Sequence, residues 1–139
     1  MTRASRTGTP FAVGSFVTVR NRIPPKVLVV DDDPRVLVLS RTILERSGYD
    51  VVCAATCESA LDAVSAHADI AVAIVDVVMP GMSGYDLAAE FRRLRPATAV
   101  VFMSGFRAHV VRQPVTDLVV PKPFSVDALV SAVAAALRS

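Results

Sequence analysis

Little in this chain of 139 residues points to a disulfide framework, a metal cluster or a membrane. It has two cysteines and two histidines. Cys53 and Cys57 are separated by three residues and have no second pair, so they read as small, reduced residues and not as a redox or metal site. No apolar stretch approaches the roughly 18 residues that a spanning helix needs. Residues 11–19, which follow Arg3 and Arg6, have the outline of a signal peptide. They lack a small-residue cleavage site and run into Arg20, Asn21 and Arg22, so a cytoplasmic protein is expected. Acids are missing from the first thirty residues. Arg3, Arg6, Arg20, Arg22 and Lys26 give that stretch +5, against a net of +2 for the whole chain, which leaves −3 for residues 31–139. A basic arm can engage nucleic acid or an anionic membrane. These charges are scattered, without interleaved aromatics, and Thr7-Gly8-Thr9-Pro10 reads as irregular chain. Residues 1–25 are therefore expected to be a disordered or linker-like basic extension, with no membrane and no direct nucleic-acid partner.

What the chain does have is four short apolar runs, each ending on a polar residue. Val27-Leu28-Val29-Val30 ends on Asp31-Asp32-Asp33, and Ala71-Val72-Ala73-Ile74-Val75 ends on Asp76. Val100-Val101-Phe102-Met103 ends on Ser104, and Leu118-Val119-Val120-Pro121 ends on Lys122. Runs this short, rich in β-branched residues, fit strands buried on both faces of a parallel sheet. In an open parallel sheet the carboxyl ends of the strands line a shared crevice.

Between the runs lie helix signals. Asp33 followed by Pro34 is a cap with proline at the first helical position, starting a helix that runs to about residue 47. Val36, Leu39, Ile43 and Leu44 are expected to form its apolar stripe, and Gly48 its left-handed stop. A strand over 50–54 leads to Thr56, which can cap a helix through about residue 67. Ser83-x-x-Asp86 is a capping-box pattern for a helix through about residue 95, ended by Pro96. A two-turn helix is expected over 106–113, closed by Pro114. Ser125 should cap a last helix whose Val126, Leu129, Val130, Val133 and Leu137 face inward. His67 and His109 are expected on solvent-facing helix positions, and Tyr85 and Phe124 as packing residues. With 53% hydrophobic residues and no internal repeat, the chain supports one core. Alternating strands and helices imply an α/β fold, a doubly wound parallel sheet of five strands. That unit fills the chain to residue 138, so no output domain is expected after it.

Two adjacent carboxylates at a strand end resist joint ionisation, and a bound Mg²⁺ removes that penalty. Asp31 and Asp32 alone could be a solvated turn, Asp33 reads as the helix cap, and Asp76 alone could be structural. A phosphoryl group needs a nucleophile, a metal and donors for its oxygens. Asp76, the Asp31/Asp32 pair, Ser104 and Lys122 supply all three in one crevice.

In these motifs the chain resembles the receiver domains of two-component response regulators. The resemblance covers residues 26 to about 138, so 26–139 is expected to be a receiver domain. It rests on Val-Leu-Val-Val-Asp31-Asp32-Asp33-Pro34, Asp76-Val-Val-Met79-Pro80-Gly-Met-Ser-Gly84, Phe-Met-Ser104-Gly105 and Lys122-Pro123-Phe124. It implies a flavodoxin-like (βα)5 fold and a phosphoacceptor, not an enzyme. By the same resemblance Asp76 accepts phosphate from a phosphohistidine, with a sensor histidine kinase or a histidine phosphotransfer protein as partner. Asp31, Asp32, Asp76 and the carbonyl of Val78 would hold Mg²⁺, with Asp32 a direct ligand. Ser104 and Lys122 would bind phosphoryl oxygens, and the Lys122–Pro123 peptide would be cis. Two positions depart from the family. Val119 stands where an aromatic switch residue is often found, and the 106–113 helix is short, as in stand-alone receivers or those of hybrid kinases.

Two other functions use related parts. A haloacid-dehalogenase-type phosphatase also has a strand-end aspartate and Mg²⁺, but it wants Asp-x-Asp-x-Thr/Val and a late acidic pair. Here Arg35 takes the Thr/Val place, and only Asp117 and Asp127 follow Ser104. A docking module on the same fold, unable to accept phosphate, is the other alternative; it would lack acceptor-site residues that this sequence keeps.

Overall fold

The computed structural model describes residues 23–105 and 118–138. Five strands, β1 (Lys26–Val30), β2 (Asp50–Ala54), β3 (Ile70–Asp76), β4 (Ala99–Ser104) and β5 (Leu118–Pro121), form one sheet in the order β2-β1-β3-β4-β5. Every pairing is parallel. Four helices lie among the described residues: α1 (Pro34–Arg46), α2 (Cys57–Ala66), α3 (Gly84–Leu94) and α4 (Val126–Arg138). The helix expected over 106–113, with His109, lies outside the described residues. None of the described helices is long and apolar enough to cross a membrane.

The continuous apolar strands are explained by the period-2 geometry of a strand with both faces covered. Leu28 and Val30 point into one core with Ala73, Val75, Val100 and Phe102, under Ala60 and Val64 of α2 and Leu87 and Phe91 of α3. Val27 and Val29 point the other way, with Val72, Ile74, Val101 and Met103, under Ile43 and Leu44 of α1 and Leu129 and Val133 of α4. Burying each of these large side chains fully contributes about 1.5–3 kcal/mol. The edge strands β2 and β5 are less completely covered.

Local signals set the helix ends. Asp33 accepts a hydrogen bond from the Arg35 amide at 2.9 Å, and Gly48 turns the chain away from α1 with φ +94°. Thr56 caps α2 in a reciprocal pair with Ser59. Ser83 Oγ accepts from Asp86 N at 3.1 Å, and Ser125 Oγ from Ala128 N at 3.0 Å.

Three expectations need correction. Leu39 is 49% exposed, because the face of α1 turned to the sheet is centred on Ser40, Ile43 and Leu44, and Leu39 falls outside that arc. Val126 and Leu137 are 56% and 37% exposed, lying in the first and last turns of α4, while Leu129, Val133 and Ala136 carry its buried face. His67 is the C-cap of α2 and half-buried, with Nδ1 3.4 Å from Lys26 Nζ.

Candidate functional site

The carboxyl ends of β1, β3, β4 and β5 bring the polar residues together. Asp31 leaves β1 with its amide bonded to the Ala54 carbonyl and is fully buried. Its Oδ1 accepts from the Asp33 amide at 2.9 Å. Asp32, next along, is exposed, and Asp33 is occupied as the cap of α1. Three consecutive aspartates thus have three different surroundings. Arg35 bonds Asp33 and holds its carboxyl below the ordinary range.

Asp76 is the last residue of β3 and is 5% exposed. Its Oδ1 accepts from the Val78 amide at 3.2 Å. Val77, the residue that follows, is held on two sides, its N donating to Met103 O at 2.9 Å and its O accepting from Gly84 N at 2.8 Å. Lys122, just past β5, reaches across two strands. Its Nζ lies 2.5 Å from Asp31 Oδ2 and 3.1 Å from Asp76 Oδ2. Its own amide donates to the Ser104 carbonyl at 2.9 Å, and its peptide to Pro123 is cis. Ser104, 4% exposed at the end of β4, donates from Oγ to the Gly105 carbonyl at 3.1 Å.

Burial raises the Asp76 pKa, and the charge of Asp31 raises it further; Lys122 and the Val78 amide pull it down without cancelling the rise. Burial alone would lower the Lys122 pKa. The hydrogen bonds and charges of Asp31 and Asp76 outweigh that, so its pKa lies above the ordinary lysine value. One carboxylate oxygen each from Asp31, Asp32 and Asp76 can be chosen within 4.8 Å of one another. An all-oxygen, multiply anionic cluster suits a small hard cation, and the ammonium of Lys122 already lies against two of its members.

The sequence motifs did not anticipate that Lys122 contacts Asp31 as well as Asp76, because contacts between residues so distant in sequence leave no periodic signal. Gly84 sits against the Asp76 backbone, a closeness that sequence reasoning missed: the residue was visible as the last letter of a motif, without a reason for it.

The family model for the response regulator receiver domain matches residues 27–134. The transcriptional regulatory protein KdpE of Mycobacterium tuberculosis is 34% identical over 115 residues, aligning 81% of this chain with 50% of that protein. CpxR of Escherichia coli is 32% identical over 117 residues, covering 81% of this chain and 49% of that protein. The chain therefore spans about half the length of these curated relatives. A receiver domain protein from Clostridium thermocellum superposes with a TM-score of 0.74 at 27% identity, over 81% of this chain and 94% of that one. A CheY-like receiver from Methanospirillum hungatei superposes with a TM-score of 0.73 at 25% identity, over 84% and 95%.

Proposed function

Because the chain belongs to the response regulator receiver family, we propose that Asp76 is its phosphoacceptor, taking a phosphoryl group from the phosphohistidine of a sensor kinase or phosphotransfer protein. The observation that carries this reading is the convergence of Asp31, Asp76 and Lys122 at the sheet end, with Asp32 beside them. In the transfer an Asp76 carboxylate oxygen forms a bond to phosphorus as the bond from phosphorus to the imidazole nitrogen breaks. The departing imidazole takes up a proton. Val78 N–H and Lys122 orient the carboxylate through different oxygens, leaving attack to a lone pair that neither holds. Lys122 can follow the incoming group as a point-charge donor, and Ser104 Oγ has only its neighbour's carbonyl to give up.

Asp31, Asp32 and Asp76, with the Val78 carbonyl, would hold Mg²⁺ here, and the bound ion would neutralise charge that accumulates on the phosphoryl oxygens during transfer. The receiver unit is assigned to residues 26–139 and residues 1–25 to an extension. DNA binding is placed outside the receiver unit, since residues 31–139 carry a net charge of −3. Its location is read as cytoplasmic.

A protein donor must rest on the surface beside Asp76. α1 offers an apolar shoulder there, with Val38 66% and Leu39 49% exposed. Leu39 also borders a groove of about 460 Å³ shared with Lys122, Pro123 and Phe124. An amphipathic helix carrying the phosphohistidine fits this shape. The test uses two donors. Acetyl phosphate with Mg²⁺ should label the wild type with an acyl phosphate that borohydride trapping and mass spectrometry map to Asp76. Leu39→Asp should keep that labelling and lose about tenfold or more in transfer from a phosphorylated histidine protein. Label on any other residue would refute the acceptor assignment, and equal transfer rates the docking shoulder.

A further inference from the structure

We propose that Gly84 is a positioning residue for Asp76: its bare Cα lets the first turn of α3 pack directly on the acceptor's own peptide and so fix where the carboxylate stands. The inference rests on Asp76 being the acceptor.

Gly84 is buried at the first position of α3. A Cβ placed there would lie 2.2 Å from the Asp76 carbonyl oxygen, 2.7 Å from Val77 Cα and 2.9 Å from the Asp76 carbonyl carbon. Ordinary contact begins near 3.4 Å, so something must yield by about 1 Å. All three obstructing atoms are backbone, and no side-chain rotation can relieve the overlap. Two other described glycines differ. Gly48 and Gly81 have φ of +94° and +88° and open space around them, as turn residues do. Gly84 has no such φ, and inside a helix alanine is favoured over glycine. Helix preference argues against this glycine, and close approach explains it.

What the approach holds is Val77, the residue joined to the acceptor. Gly84 N bonds Val77 O from the α3 side, and Met103 O receives Val77 N from the β4 side. Asp76 and its carboxylate hang from that clamp, with Oδ1 on the Val78 amide and Oδ2 on Lys122. A methyl group at residue 84 pushes the Asp76 carbonyl and tilts the side chain relative to Asp31 and Lys122. Displacements of about 1 Å at a reacting group can cost about a hundredfold in rate.

The experiment compares the full chain with Gly84→Ala and with Val64→Ala, a fully buried position of α2 in the same core. Val64→Ala controls for general loss of stability. For each, the rate of phosphorylation by acetyl phosphate and the affinity for beryllofluoride with Mg²⁺ are measured well below the melting temperature. Gly84→Ala should lose about tenfold or more in both, and Val64→Ala should melt lower yet stay within about threefold of wild type. The proposal is overturned if Gly84→Ala also stays within that range, or if Val64→Ala falls as far. If the alanine chain does not fold, Ser83→Ala decides. It removes the cap of the same turn without adding an atom, so a several-fold loss of beryllofluoride affinity supports the clamp and unchanged affinity overturns it. A wild type that takes no label at Asp76 fails the acceptor assignment first, and the positioning role with it.

Discussion

At each end of the sheet a lysine meets two aspartates, and the two ends behave differently. At the amino end Lys26 lies 3.8 Å from Asp50 and 3.2 Å from Asp69, whose side chains are 57% and 65% exposed. At the carboxyl end Lys122 meets Asp31 and Asp76, whose side chains are 1% and 8% exposed. The charges are the same, and the pKa directions are opposite. Asp69 is held below its ordinary value, chiefly by its hydrogen bond to Lys26. Asp76 is pushed above it, chiefly by burial, despite its lysine. Water screens the first cluster and leaves an ordinary surface ion pair. The second keeps its charges out of water, where each responds strongly to the others.

The largest difference should appear on replacing one aspartate from each end. Asp76→Asn should abolish acyl-phosphate labelling, and Asp69→Asn should leave it unchanged. Their stabilities should also diverge with pH. A raised pKa means the folded state binds the proton more tightly, so Asp76 costs stability as pH rises above 3.8 through its higher folded value. The advantage of Asp76→Asn over wild type should therefore grow across that window and then level off. Asp69 has a lowered pKa and works the other way, its contribution present above 3.8 and lost as pH falls. Urea denaturation at a series of pH values checks both, and parallel curves would erase the distinction between the two ends.

Removing the lysines should give the next largest contrast. Lys122→Ala leaves Asp31 and Asp76 buried with no counter-charge and should cost about 3 kcal/mol at neutral pH. Because the Lys122 pKa is raised, its contribution is complete below 10.5 and disappears as pH climbs through the higher folded value. Lys26→Ala should cost less than about 1 kcal/mol and nothing measurable in high salt. Comparable losses would show that exposure is not what separates the clusters.

The smallest effect tests metal binding. Mg²⁺ at ten times its dissociation constant should stabilise the wild type by about 1.4 kcal/mol. Asp32→Asn should remove most of that gain. Asp50→Asn should keep it, since Asp50 and Asp69 are exposed, and so should Asp33→Asn, because asparagine caps a helix about as well. Thermal shifts with and without Mg²⁺ report all three, and a lost gain in Asp33→Asn would mean the aspartates are misassigned.

Legibility in the sequence followed the range of each signal. The strand over 50–54 and the caps Asp33, Thr56, Ser83 and Ser125 depend on residues within one turn of each other, and the structure has them where they were read. Strand-end polar residues were legible because a parallel sheet with buried faces forces its chemistry to its edges. Which apolar side chains stay uncovered was not, since Leu39 and Val126 look like core residues until neighbouring elements are placed. The pairing of Lys26 with Asp50 and Asp69 was hidden in the same way. Gly84 was visible as a letter in a motif, but its reason lies in a backbone eight positions away. The helix expected over 106–113 falls outside the described residues, and Val119 packs against the α2/α3 core.

The contact of Lys122 with both buried carboxylates has a further consequence for biogenesis. Many metal-binding domains cannot fold until the ion arrives, because the free energy of binding the ion is part of their folding free energy. Here Lys122, just past β5, supplies a counter-ion to Asp31 and Asp76 from within the chain. A newly made molecule can complete its sheet without drawing on the cell's metal supply, and chelators should leave it folded.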